Sequence, residues 1–169
     1  PFCNVVNRRT DGTIQSVEVL SQNVATQTLQ VIDVIGAYTI PAFDGILDFN
    51  YIGTITQEHE FIAFAGDTPI VCEGRFGLDC GEPIPEYKHR VTGRYSRDAL
   101  MVQLTWRYVG EVYDDDVDTT YFVETIDGTN YFDLVGTYQV NDWASVGFGV
   151  DNLLDEDPPV IGDNQEQAN

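Results

Sequence analysis

The stretch Thr129–Pro159, TNYFDLVGTYQVNDWASVGFGVDNLLDEDPP, reads as a strand, a short turn near Asn141–Trp143 and a return strand. Along its first half one face is predicted to carry Asn130, Phe132, Leu134, Gly136, Tyr138 and Val140, and the return strand places Val146, Phe148 and Val150 on one face. Pairing Val140 with Ala144 brings these faces together. The register then makes two cross-strand pairs, Tyr138 with Val146 and Gly136 with Phe148. The stretch therefore predicts a β-hairpin with one apolar face.

Composition and charge limit the classes of function. The chain has 169 residues, of which 28 are acidic and 8 basic, and its net charge of −20 disfavours nucleic acid as a partner. No run of about 18 apolar residues occurs, which excludes a membrane helix but leaves open transmembrane strands, since these need only about 10 alternating residues. The chain begins at Pro1 without an initiator Met or a signal peptide, so we expect a fragment.

Two further hairpins and one weak strand are predicted upstream. A weak strand near Ile14–Val19 follows the turn at Asp11-Gly12. The first hairpin has strands Asn23–Ile40 and Ile46–Ile55 around the turn Pro41–Gly45; the second has strands Lys88–Tyr95 and Leu100–Gly110 around the turn Ser96–Ala99. Pairing Tyr95 with Leu100 unites the apolar residues of the second hairpin and places Lys88 opposite Arg107. Its other face is basic, with Lys88, Arg90, Arg94 and Arg107.

Two regularities extend over all three hairpins. Short turns alternate with long acidic segments at Thr56–Glu86, Glu111–Gly128 and Asp155 onward, and a Gly-x-Tyr triplet precedes each short turn, at Gly36–Tyr38, Gly93–Tyr95 and Gly136–Tyr138. Short turns at one end, long loops at the other and an aromatic girdle are typical of a transmembrane β-barrel. Trp106, Tyr108 and Phe132 are candidates for the second girdle. The alternative is a soluble antiparallel sandwich, which has the same period of two with its apolar face turned inward.

The three cysteines are divided between a close pair and a single residue. Cys72 and Cys80 bracket a Gly-, Pro- and acid-rich segment, and their spacing suits a disulfide that pins a surface loop in an oxidising compartment. A metal site or two free thiols remain open as alternatives. Cys3 has no comparable neighbour, and we expect its partner upstream of this sequence.

The sequence gives little support to catalysis. His59 and His89 are isolated, and no nucleophile elbow or phosphate-binding glycine loop occurs, so we expect neither an enzyme nor a cofactor. Asp114, Asp116 and Asp118 offer hard oxygens to Ca²⁺, but the segment lacks the EF-hand pattern and its glycine. A solvated acidic loop is the other interpretation of these residues.

Several motifs together resemble the TonB-dependent outer-membrane receptors. Val150–Val160 is similar to the NLFDK-PP segment near the C-terminus of that family, with Asn152, Leu153, Asp155, Pro158 and Pro159 matching and Leu154 in place of the usual Phe. Tyr131–Leu134 resembles the strand that opens the same hairpin, Trp106–Gly110 resembles a WRYVG segment, and Cys72–Cys80 resembles a loop of many members. The order and spacing of these motifs cover most of residues 23–162.

The resemblance implies an all-β fold, an antiparallel up-and-down meander that is a partial segment of a 22-stranded transmembrane β-barrel. Residues 1–169 are then the C-terminal part of the barrel, without the plug domain and the last strand. The implied localisation is the outer membrane of a Gram-negative bacterium. The implied function is import of a scarce, bulky nutrient such as a ferric siderophore, driven by the inner-membrane proton gradient.

The resemblance also assigns expected partners and site residues. The partners are the receptor's own N-terminal plug domain, the TonB complex, membrane lipid and lipopolysaccharide, and the nutrient ligand. Lys88, Arg90, Arg94 and Arg107 are expected to face the lumen or plug. External loops are expected to contact ligand through Phe61, Phe64, Arg75, Phe76 and Tyr113. The alternative function is an outer-membrane or secreted adhesion or carbohydrate-binding module that uses the same loop aromatics.

Overall fold

The computed structural model describes residues 5–18, 25–64 and 66–161, and within them it is built from β-strands. Cys3 lies outside the described residues. No helix among the described residues is long and apolar enough to cross a membrane. The strands, in chain order, are β1 Val6–Arg8, β2 Ile14–Val17, β3 Thr26–Ala42, β4 Gly45–Ile62, β5 Ile70–Val71, β6 Arg75–Gly77, β7 Gly81–Ile84, β8 Tyr87–Arg97, β9 Leu100–Val109, β10 Val112–Asp114, β11 Thr125–Ile126, β12 Thr129–Asn141 and β13 Ala144–Val150.

The main sheet is an antiparallel meander of six long strands in the order β3, β4, β8, β9, β12, β13, with β5 paired to the outer end of β4. Strands that follow one another across the three short turns are neighbours, and the two long segments connect β4 to β8 and β9 to β12. The predicted up-and-down meander is therefore confirmed. The weak strand predicted near Ile14–Val19 is β2, and it pairs with the unpredicted β1 rather than with the main sheet.

The last hairpin confirms the predicted cross-strand pairs. Gly136 lies opposite Phe148, and Tyr138 lies opposite Val146. The predicted pair of Val140 with Ala144 is wrong, because Asn141 pairs with Ala144 across an irregularity that leaves Val140 without an opposite residue. The turn explains the shift: the Asn141 side chain accepts a hydrogen bond from the backbone N–H of Trp143, at 3.1 Å, and holds the chain in a tight reversal.

The middle hairpin differs from the predicted register by two residues. Tyr95 pairs with Val102 rather than Leu100, and Arg90 rather than Lys88 lies opposite Arg107. The turn contains only Asp98 and Ala99, so Arg97 and Ser96 extend the ladder instead of belonging to the turn. A shift of two residues leaves every side chain on its predicted face, and for this reason the face assignment survives the error.

One face of the main sheet is apolar and continuous across all six strands. Pairings such as Tyr38 with Phe49, Leu104 with Leu134, and Gly136 with Phe148 lie on this face in successive strands. Most of its large side chains are exposed, among them Tyr38 at 66% and Val146 at 63%. A soluble sandwich would cover such a face with a second sheet, and none of the described residues does so.

The hydrophobic core lies instead within the long segments. The fully buried apolar side chains of the described residues are Cys72, Phe76 and Val112. Phe76 on β6 and Val112 on β10 belong to a four-stranded sheet in the order β7, β6, β10, β11, which we call the loop sheet, and Cys72 lies in the segment just before β6. Its central pair, β6 and β10, is parallel and joins the two long segments. The prediction of long loops is thus incomplete, since part of Thr56–Glu86 and of Glu111–Gly128 folds into this sheet and β4 continues to Ile62.

Candidate functional site

The opposite face of the main sheet, here called the polar face, carries the basic residues that the sequence singled out. Lys88, Arg90 and Arg94 alternate along β8, and Arg107 lies on β9. Asp33, Asp48 and Asp133 on neighbouring strands point to the same side, as their hydrogen bonds across the ladder show. Because side chains alternate between the two faces along the regular stretches of each strand, residues of this face are separated from the apolar face by the sheet itself.

Asp133 connects three segments of the polar face. Its Oδ2 and Oδ1 accept hydrogen bonds from Nε and Nη2 of Arg107, at 3.0 and 3.1 Å. The backbone N–H of Asn152 also donates to Oδ1, at 3.0 Å. Leu153 adds a backbone bond to Phe132, so the chain after β13 is fixed onto β12. Asp133, Arg107 and Asn152 come from three motifs far apart in the sequence, and the fold brings them into one network.

The turn after β13 has its own internal hydrogen bonds. Asn152 has φ +52°, a left-handed conformation that Asn tolerates better than most residues. Its Nδ2 donates to the Glu156 carbonyl and its Oδ1 accepts from the Glu156 N–H, at 3.0 and 3.1 Å. Asn152 and Asp133 therefore have structural roles here, and Leu153, Asp155, Pro158 and Pro159 are exposed around them.

The four basic residues of the polar face divide into two kinds. Arg94 bonds to Asp48 at 3.0 Å, and Asp48 also accepts a bond from the Thr39 hydroxyl. Arg107 bonds to Asp133 and lies over the Tyr131 ring, 5.2 Å from its centroid. Among the described residues Lys88 and Arg90 have no ion-pair partner. Both line a hollow of about 350 Å³ whose other walls include Ile52, Thr54, Arg107 and Tyr131.

The loop sheet is held by a disulfide and by carboxylates that bind backbone. Cys72 and Cys80 are joined, with 5.3 Å between their Cα atoms. Asp115 Oδ2 accepts the backbone N–H groups of Asp79 and Cys80, at 2.9 and 2.7 Å. Since Asp115 follows β10 and the disulfide belongs to the other long segment, these bonds join the two segments beside the parallel pair.

The predicted ligand contacts lie in different environments. Phe76 is fully buried in the loop sheet, so the prediction that it contacts ligand is wrong, and its role is to form the core. Tyr113 is 47% exposed on β10, next to Arg75 on β6. Arg75 is half-buried, and its guanidinium donates to the Asp114 carbonyl at 3.1 Å. Phe61 and Phe64 lie at the outer end of β4 and just beyond it.

The carboxylates of the candidate calcium loop are turned to the backbone. Asp114 Oδ1 accepts the Asp116 N–H, and Asp116 Oδ1 accepts the N–H groups of Asp118 and Thr119. Hydrogen bonds from the Thr119 side chain and from the Asp118 backbone lower the pKa of Asp116 below its ordinary value. Loss of solvent, together with the negative charges of Asp116 and Asp114, raises the pKa of Tyr121. The described part of the chain holds no cluster of three or more His, Cys, Asp or Glu suited to a metal.

The two histidines occupy environments that the sequence did not indicate. His89 lies on the apolar face among Tyr87, Trp106 and Tyr108, with 4.5 Å between its ring centroid and that of Trp106. His59 is buried beneath the disulfide loop, where its backbone N–H donates to Glu73 and its carbonyl accepts from Cys72. The alternation of β8 places position 89 on the apolar face, so a register argument was the signal that could have located it.

Comparison with known proteins agrees with this architecture. A family model described as TonB dependent receptor-like, beta-barrel, matches residues 4–153. Searches of curated proteins and of solved structures found no significant match. The family match spans the main sheet and the loop sheet, including the Arg107, Asp133 and Asn152 network. This chain therefore belongs to the β-barrel family of TonB-dependent receptors.

Proposed function

We propose that the chain is the C-terminal part of the barrel of a receptor that imports a scarce, bulky nutrient, such as a ferric siderophore, across the outer membrane of a Gram-negative bacterium. The family is one of receptors and transporters rather than of enzymes. The observation that carries the proposal is the apolar face, which is continuous over six strands and exposed while the opposite face is polar. Membrane lipid and lipopolysaccharide are the proposed neighbours of the apolar face.

Energy for import is proposed to come from the inner-membrane proton gradient through the TonB complex. A nutrient that is too large to diffuse through a water-filled pore must be bound before it is moved. A binding surface outside the membrane is therefore required. The loop sheet supplies such a surface in folded form, with Tyr113 exposed beside Arg75, and Phe61 and Phe64 lie at the outer end of β4 and just beyond it. Its buried core makes it a fixed platform instead of a set of independent loops.

The test is uptake by cells that express the intact receptor. We expect accumulation of its nutrient to require the receptor gene, the TonB complex and the proton gradient, and to stop when a protonophore is added. Tyr113→Ala should weaken binding without loss of receptor from the membrane. Phe76→Ala should instead destabilise the loop sheet by about 3 kcal/mol, because it empties a core position. Uptake that continues without TonB or the gradient would refute energy-coupled import.

An adhesion or carbohydrate-binding module is the second candidate. It is favoured by the aromatic surface of the long segments, where Phe122 is fully exposed and Tyr113 nearly half so. Such a module would bind its target equally well with and without the proton gradient and would accumulate nothing inside the cell. Binding measured at the cell surface together with uptake in the same cells separates the two functions.

A further inference from the structure

Arg75 is a cation in strongly acidic surroundings, yet it forms no ion pair with any of the described residues. Thr56–Glu86 and Glu111–Gly128 each contain seven acidic residues, and Arg75 is the only Arg or Lys in either segment. Its Nη1 donates instead to the Asp114 carbonyl, at 3.1 Å. This bond fixes the guanidinium in place and leaves its charge without a carboxylate in contact.

The carboxylates around β10 bind backbone groups rather than Arg75. Asp115 Oδ2 accepts two backbone N–H groups beside the disulfide, at 2.9 and 2.7 Å. Asp114 Oδ1 accepts a backbone N–H of its own segment, at 2.9 Å, and Glu124 Oε1 accepts another, at 2.6 Å. Because these acids are directed to the backbone, an anionic group that comes from outside the loop sheet would be the charged acceptor for Arg75.

Arg75 belongs to a row of side chains on the accessible face of the loop sheet. Paired residues cross the four strands in the order Ile84, Arg75, Tyr113 and Thr125. Residues directly opposite one another share a face, and alternation turns Phe76 and Val112 to the other, buried face. Tyr113 is 47% exposed, so a ligand that reaches this row meets the guanidinium with an apolar side chain on one side and a phenol ring on the other.

Negative charge also surrounds the Tyr113 ring. The Glu111 carboxylate accepts a hydrogen bond from the Tyr113 hydroxyl and, together with the charges of Glu86 and Asp127, raises the pKa of Tyr113. These carboxylates repel a second negative group of a ligand within a Debye length of about 8 Å. An ammonium group is attracted both by the carboxylates and by the face of the ring.

We propose that Arg75 binds one carboxylate of the nutrient and that Tyr113 and the acids around it hold a positively charged part of the same molecule. The inference rests on the proposed function and names the substrate class as a bulky zwitterion instead of a polyanion. Since Nη1 of Arg75 bonds to the Asp114 carbonyl, Nε and Nη2 remain for two parallel bonds to a carboxylate. Arg75 therefore determines specificity by accepting one negative group, and the acidic surroundings exclude further ones.

The test uses three synthetic ferric chelates that share a neutral tris-hydroxamate core and one ammonium group. They differ in one further substituent, which carries a single carboxylate, a primary amide or three carboxylates. Quenching of tryptophan fluorescence by the ferric centre gives the Kd of each probe for the intact receptor in detergent. The single-carboxylate probe should bind at least about tenfold more tightly than the amide probe, although the amide probe has the more positive net charge. The three-carboxylate probe should bind at least about tenfold more weakly than the single-carboxylate probe at low salt, and this difference should shrink at high salt.

Two variants complete the experiment. Arg75→Gln keeps an N–H for the Asp114 carbonyl and loses the charge, so the preference should reverse and the amide probe should bind more tightly than the single-carboxylate probe. Binding of the amide probe by this variant also shows that its loop sheet is folded. Arg97→Gln, a change at the short-turn end where Arg97 pairs with Asp44 and Asp98, should keep the preference of the natural receptor.

Two results would overturn the proposal. One is equal binding of the single-carboxylate and amide probes, or no binding of either, by the natural receptor. The other is a preference for the carboxylate that survives in Arg75→Gln. If Arg75→Gln fails to reach the membrane, the comparison of the three probes within the natural receptor decides alone.

Failure of this proposal is distinguishable from failure of the proposed function. Accumulation of the receptor's nutrient by cells, with and without the TonB complex, is measured in parallel and does not depend on the probes. Accumulation that requires TonB, without the probe preference, would leave the transport function intact and remove the Arg75 site. The probe preference in a receptor that never transports would do the reverse.

Discussion

Removal of the Asp133 carboxylate should release the chain after β13 from the sheet. Asp133→Ala deletes the two bonds from Arg107 and the bond from the Asn152 backbone. The Arg107 side chain is 41% exposed and that of Asp133 is 15% exposed, so solvent screening reduces the ion pair to about 1 kcal/mol. The bond from Asn152 adds about 1 kcal/mol, and so the expected local loss is about 2 kcal/mol.

Hydrogen exchange of the intact receptor in detergent measures this loss locally. Because a tenfold change corresponds to about 1.4 kcal/mol, the Asn152 and Leu153 amides should exchange roughly 30-fold faster in Asp133→Ala. Asp133→Asn keeps an oxygen for the Asn152 N–H and loses the charge, so its amides should exchange only about fivefold faster, which corresponds to about 1 kcal/mol. Asp157→Asn, an exposed change in the same segment, is the matched control.

Two results would refute this reasoning. Equal exchange in Asp133→Asn and Asp133→Ala would show that the bond to Asn152 contributes nothing. Unchanged exchange in both variants would show that the Asn152 to Glu156 hydrogen bonds and the backbone bond from Leu153 to Phe132 hold the turn without Asp133.

Three further predictions concern the last hairpin, the disulfide and the acidic turn. Gly136→Ala should destabilise the sheet by about 1–3 kcal/mol, because its Cβ would overlap the Phe148 ring. Gly147→Ala is the matched control, since its Cβ meets Thr137 at an ordinary contact distance of 3.5 Å. The temperature at which the receptor unfolds, read from its heat-dependent gel mobility, should fall in the first variant and not in the second. Reduction of the Cys72–Cys80 disulfide should raise the rate of trypsin cleavage after Arg75, which lies inside the loop that the disulfide closes. The reason is that the disulfide stabilises the folded loop by about 2 kcal/mol. A cleavage rate unaffected by reductant would count against this. Asp116 has a folded pKa below its unfolded value, so its contribution is complete above the ordinary Asp pKa of about 4 and is lost as pH falls through the folded value. Amide exchange of Asp118 and Thr119, corrected for its intrinsic pH dependence, should therefore accelerate at acid pH in the natural chain, and Asp116→Asn should abolish that response.

The sequence predicts the main sheet well because one physical signal determines most of it. Alternation assigns each side chain of β8, β9, β12 and β13 to a face, and that assignment is unchanged by an error of two residues. The same property makes alternation unable to tell Leu100 from Val102 as the partner of Tyr95. Turn length decides between them, and nothing in Ser96–Ala99 shows that only two of its residues form the turn.

The loop sheet could not be predicted for a different reason. Its strands have two to four residues, too few for a period to be visible, and its central pair is parallel and joins segments about 40 residues apart. An aromatic residue in an acidic segment, such as Phe76, suggests an exposed ligand contact. Phe76 is fully buried where β6 pairs with β10, a pairing that only the folded chain makes.

The tyrosines of the short-turn end relate the ladder to the membrane. Tyr38 lies opposite Phe49, which lies opposite Gly93 on β8, two residues before Tyr95. In the same way Tyr95 lies opposite Val102, which lies opposite Gly136 on β12, two residues before Tyr138. If the three rings lie at one depth in the membrane, the residue at that depth is displaced by one position along the strand from each strand to the next. A rise of about 3.3 Å over a spacing of about 4.8 Å then gives a strand tilt of about 35°.

This tilt accounts for the unequal strand lengths. The ten residues of β9 then span about 27 Å along the barrel axis, close to the apolar band of about 25 Å in outer-membrane barrels. The 18 residues of β4 span about 49 Å, so roughly 20 Å of the β3 and β4 hairpin extends beyond the membrane. The loop sheet is attached to that projecting part, where the Glu86 carbonyl accepts the Thr56 N–H and the His59 carbonyl accepts the Cys72 N–H. The length of one hairpin thus determines the height above the membrane at which the proposed ligand platform is held.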